Sequence, residues 1–70
     1  MTQPKSYEPV YGQKYQLLCR TYGEGWEHCD YAVDIHEKNY LLEEYHLAYG
    51  RNYEFKTILF PKKYWPKVVH

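Results

Sequence analysis

Apolar and polar side chains alternate with period 2 along residues 15–22 and again along residues 26–35, and Gly23-Glu24-Gly25 separates the two runs. Alternation of this kind marks half-buried strands. A three-residue loop ending in glycine predicts a hairpin, with Gly25 supplying the positive φ. The register that follows sets Tyr22 opposite Trp26, Cys19 opposite Cys29, Leu17 opposite Tyr31 and Tyr15 opposite Val33. It gathers Tyr15, Leu17, Cys19, Cys29, Tyr31, Val33 and Ile35 on an apolar face. Leu18, Arg20, Tyr22, Trp26, His28, Asp30 and Asp34 take the other.

After His36 the period lengthens to 3.6, and residues 37–49 predict a helix, introduced by Asp34 or His36 and ended by Gly50 as a left-handed cap. Leu41, Leu42, Tyr45, Ala48 and Tyr49 form the stripe expected to cover the apolar face of the hairpin, while Tyr40, Glu43, Glu44 and Leu47 point outward. Alternation returns in residues 53–60, with Tyr53, Phe55, Thr57 and Leu59 inward, and Pro61 ends the ladder because it has no N–H to donate.

The order strand, strand, helix, strand predicts an α+β fold, a small ββαβ domain with a three-stranded sheet and one helix packed on one face. A crossover makes the third strand parallel to the second. Sheet orders 2-1-3 and 1-2-3 both satisfy this, and the first is preferred because it centres the more apolar strand. Residues 1–13, with Pro4, Pro9 and Gly12, predict a flexible or extended arm that Tyr7, Val10 and Tyr11 could tether. Residues 14–65 form the single globular domain and 66–70 a tail, with Trp65 expected to fold back on the sheet or helix.

A chain of 70 residues has a thin core, burying only about 60% of the surface its unfolded form exposes. Ten tyrosines against two phenylalanines suit that limit, since tyrosine buries its ring and keeps its hydroxyl wet. Net charge is zero but unevenly spread. Between Glu24 and Glu44 seven carboxylates face Lys38 alone, whereas residues 51–70 carry Arg51 and four lysines against Glu54. The middle is acidic and the ends are basic, which either neutralises within the fold or offers an acidic face to a basic partner. The first thirteen residues are polar and no apolar run approaches ~20 residues, so neither a signal peptide nor a membrane interaction is expected. A cytoplasmic location follows, with Cys19 and Cys29 as reduced thiols even though the register sets them at disulfide-compatible separation.

Cys19, His28, Cys29, Asp30, Asp34 and His36 are the available metal ligands, but no paired C-x₂-C or H-x₃-H spacing occurs, so no metal or cofactor is expected. No catalytic residue is assigned. Asp34 and His36 stand two apart, yet they mark the entry to the helix, and one helix on three strands leaves little concavity for an enzyme.

Binding remains. The first reading is a small non-enzymatic protein, a regulator or phage-type inhibitor. It would engage a protein partner with a basic surface through Tyr40, Glu43, Glu44 and Leu47 on the helix and Glu24 and Trp26 at the hairpin tip, Tyr and Trp being favoured at interface centres. The second is single-stranded RNA or DNA binding by Arg20, Tyr22, Trp26 and His28 on the outer sheet face, extended by the basic tail with Tyr64 and Trp65. Zero net charge and the acidic neighbours weigh against it. Self-association into a homodimer through the same patch is a third reading.

Overall fold

In the computed structural model, which describes residues 7–67, β1 (Tyr15–Thr21), β2 (Glu27–Ala32), α1 (Ile35–Tyr49) and β3 (Tyr53–Leu59) succeed one another along the chain. The parts of the predicted arm and tail in residues 1–6 and 68–70 lie outside the described residues. β1 is central and antiparallel to both neighbours, in the order β2-β1-β3. β3 therefore runs in the direction of β2 with β1 between them, the preferred of the two arrangements expected, and α1 packs on one face of this sheet.

The hairpin register departs from the expected one. Tyr15 pairs with Ala32, Gln16 with Tyr31 and Leu17 with Asp30; past an irregularity between Leu17 and Leu18, the pairs become Leu18 with His28 and Cys19 with Glu27. Two local causes produce the shift. The Glu24 N–H donates to the Thr21 carbonyl at 3.0 Å and the positive φ belongs to Gly23, at 87°. The chain therefore reverses through a type II turn over residues 21–24 instead of the loop ending at Gly25. Cys29 is then left as the extra residue of a β-bulge, so that it is not the cross-strand partner of Cys19.

The bulge reverses the phase of alternation inside β2. Asp30 joins Tyr15, Leu17 and Ala32 on the helix side, and Tyr31 moves to the opposite face with Gln16, Leu18 and His28. Val33 and Ile35 are exposed, because β2 ends at Ala32 and the chain turns directly into α1. The third strand matches its expected phase: Phe55 lies opposite Cys19 and Tyr53 opposite Thr21. Phe55 meets the helix, its ring centroid 6.2 Å from that of Tyr45 and 4.8 Å from that of His46.

The buried residues divide between the two faces. Leu17 and Ala32 lie on the helix side, whereas Gln16, Leu18 and Phe60 lie on the other, all within 1% of full burial. That second face is closed by irregular chain. The Phe60 ring is ringed by Tyr7, Tyr31 and Tyr64 at 6.2, 6.2 and 6.1 Å. The side-chain oxygen of buried Gln16 accepts the Glu8 N–H at 2.9 Å, the Tyr31 hydroxyl donates to the Glu8 carbonyl at 3.0 Å, and the Gly12 N–H donates to the Tyr64 carbonyl at 2.8 Å. Residues 7–13 are thus tied down over the sheet, with Tyr7 and Tyr11 making ring contacts.

Candidate functional site

The helix that carries the first set of predicted binding residues is specified at both ends. Asp34 is its N-cap, its carboxylate accepting the Glu37 N–H at 2.8 Å, while the Glu37 carboxylate reaches back to accept the Val33 N–H at 2.9 Å. This is a capping box displaced by one residue, and it satisfies one backbone donor of the first turn, Glu37, and one just before the cap, Val33. Gly50 ends the helix at φ 72°, a conformation that a side chain would strain. His36, considered earlier as a partner of Asp34, is exposed in the first turn.

At 100° per residue Tyr40, Glu43, Glu44 and Leu47 fall within one arc of about a third of the helix surface. All four are exposed; Tyr40 keeps 61% and Leu47 77% of its free surface. The opposite arc meets the sheet mainly through rings and one polar bond. The Tyr45 hydroxyl donates to Asp30 at 2.8 Å, and Tyr49 lies 4.9 Å from Tyr53. No residue of α1 is buried.

Chemistry beneath the helix is quiet. Cys19 and Cys29 are free thiols. Burial first, then the neighbouring Cys19 and Asp30, pushes the Cys29 thiol up to about 12, so it stays protonated and unreactive at neutral pH. Burial and the bond to Asp30 likewise raise the Tyr45 phenol, and burial with Glu8 raises Tyr31. Among the described residues no group of three His, Cys, Asp or Glu side chains is placed to hold a metal ion, and no helix is long and apolar enough to cross a membrane.

The other predicted residues lie elsewhere. The Trp26 ring is on the sheet face away from α1, with the Arg20 guanidinium 4.4 Å and the Lys56 ammonium 4.5 Å from its centroid. Arg20 also donates to Glu54, at 3.3 Å from its nearer oxygen. His28 is bonded to the Gln16 amide at 3.0 Å and packs with its ring tilted against Tyr31 at 4.6 Å. Tyr22 and Glu24 are exposed in the turn. Arg20, Trp26 and His28 are thus engaged by neighbours in the chain, and Trp26 is separated by the sheet from Tyr40 and Leu47.

A further concavity lies at the other end of the sheet. Tyr11, Gly12, Lys62, Lys63, Trp65, Pro66 and Lys67 line a cavity of about 610 Å³. The sequence signals its tail half, through Lys62, Lys63 and Trp65, but gives no hint that Tyr11 joins them, because that requires the arm to be pinned by Gln16. The sequence matches no family model, no curated protein and no solved structure.

Proposed function

We propose that this chain is a non-enzymatic binding protein that modulates a protein partner by docking the outer arc of α1 on a basic surface. The observation that carries the reading is the placement of Tyr40 and Leu47, two turns apart and the most exposed large hydrophobic side chains of the helix, with Glu43 and Glu44 beside them. Tyrosine and leucine provide apolar area that a partner can desolvate, and the carboxylates steer and orient a cationic surface. Glu24 adds charge at the hairpin tip. Trp26, held against Arg20 and Lys56, stabilises the sheet in this reading.

The test is capture of partners by immobilised wild type beside Tyr40→Ala/Leu47→Ala. Both positions are exposed, so the double variant is expected to keep the thermal midpoint of the wild type while losing the partner. Glu43→Lys/Glu44→Lys is expected to abolish binding, and wild-type affinity is expected to fall steeply with salt. Salt-insensitive binding would remove the electrostatic part of the proposal. Sedimentation showing that the wild type dimerises through Tyr40 and Leu47 would replace the partner with a second copy.

A further inference from the structure

We propose that the cavity beside Trp65 binds single-stranded nucleic acid, with a base against Tyr11 and Trp65 and successive phosphates on Lys62, Lys63 and Lys67. The site is independent of the helix patch, since no residue of α1 lines it. It is also distinct from the hairpin end of the sheet, where Arg20 and Trp26 lie. Trp26 neighbours the pair of Thr21 with Tyr53, whereas the cavity adjoins the end where Tyr15 pairs with Leu59.

Three observations converge on this ligand. First, the cavity has the size of a small-molecule site, ~300–1,000 Å³, and its lining includes three lysines and no carboxylate. Among the described residues the one ion pair shown is that of Arg20 with Glu54, and none of these lysines is paired with a described carboxylate. Two of them rest against aromatic rings instead: Lys62 lies 6.0 Å from Trp65 and Lys63 5.1 Å from Tyr64, while Lys14, outside the lining, lies 4.2 Å from Trp65. Second, the aromatic walls are held in place. The Trp65 indole N–H donates to the Phe60 carbonyl at 2.7 Å, and Gly12, at φ 90°, brings the arm round so that Tyr11 packs 4.8 Å from Tyr64. Tyr11 nevertheless keeps 75% of its surface open.

Third, the cations are all lysines. A single phosphorylated side chain is best gripped by the fork of arginine, whereas lysine acts as a point charge suited to a run of phosphates. An acidic peptide would use the lysines and leave the rings idle. A base stacked on an aromatic ring beside backbone-tracking cations is the usual arrangement for unpaired strands.

Fluorescence anisotropy with short labelled oligo-dT and oligo-U at low salt tests the proposal. Wild type is expected to bind both. Tyr11→Ala and Lys62→Gln/Lys63→Gln are each expected to weaken binding about tenfold, and the double lysine variant to lower the salt slope by about 1.4, two phosphates at ~0.7 each. Trp26→Phe leaves Trp65 as the one tryptophan, and its emission is expected to be quenched on titration. Thermal melts confirm that each variant is folded. The proposal is overturned by absence of binding at low salt or by equal affinity for poly-glutamate or free thymidine monophosphate. It is also overturned if Arg20→Ala/Tyr22→Ala loses binding while the lysine variant retains it.

Discussion

On one face of the sheet a regular helix leaves all fifteen of its residues at least partly exposed, whereas on the other two irregular segments bury Phe60, Leu18 and Gln16 almost completely. A helix is a cylinder and meets a small sheet along a narrow line, so α1 contributes chiefly Tyr45, His46 and Tyr49 and leaves its outer arc in water. Irregular chain has no such constraint. It follows the surface, sets Tyr7 and Tyr64 beside the strand residue Tyr31 around one phenylalanine, and brings a backbone N–H to a buried amide. In a domain this small the tighter packing lies under the loops, and the helix is free to present a surface.

The contrast can be tested by unequal damage. Phe60→Ala is expected to cost the most, about 3–5 kcal/mol, which is a large share of the roughly 4–10 kcal/mol available to a chain of this size. Urea unfolding followed by circular dichroism measures it, and a loss below about 1 kcal/mol would mean that the arm face does not dominate. Tyr45→Phe is expected to cost less, about 1–2 kcal/mol, because it removes one charge-assisted bond and leaves Asp30 with the Tyr31 N–H as a partner. A Tyr45→Phe loss exceeding that of Phe60→Ala in the same assay would reverse the ranking.

A third effect is expected only at high pH. The folded state holds the Cys29 proton more tightly than the unfolded chain, whose thiol titrates near 9.0. Its contribution is therefore complete below about pH 9 and is lost as pH rises toward 12. Tyr45 and Tyr31 shift in the same direction from 10.0. The urea midpoint should thus decline from pH 9 upward in wild type and from nearer pH 10 in Cys29→Ala. Identical onsets in the two proteins would show that the folded state does not hold the Cys29 proton more tightly than the unfolded chain.

Most of the architecture was legible because periodicity carries it: two alternating runs about a glycine loop, a capped 3.6-period stretch and a third alternating run led to ββαβ with β1 in the centre. Periodicity fails where one residue is surplus. The bulge at Cys29 and the turn at Gly23 exchanged the faces of Asp30 and Tyr31, and no pattern marks either event. The covering of the second face was illegible for a different reason. Residues 7–13 and 60–67 have no repeat to read, and Gln16, a polar residue in an apolar strand, shows its role only once Glu8 and His28 are placed around it. On the helix, the outward placement of Tyr40, Glu43, Glu44 and Leu47 followed from spacing alone. The lysine-lined cavity did not, since Tyr11 and Gly12 join it from the arm.

The bulge also bears on chain length. β2 has six residues, of which Glu27, His28, Asp30, Tyr31 and Ala32 face partners on β1. The strand is one residue longer than its pairing requires, and the surplus residue is Cys29. His28 and Asp30, two positions apart, would share a side in an unbroken strand; the added residue lets one bond Gln16 on the arm face and the other hold Tyr45 on the helix face. The cost in length is a single residue, the thiol beside Cys19, which the ladder accommodates without losing a pair.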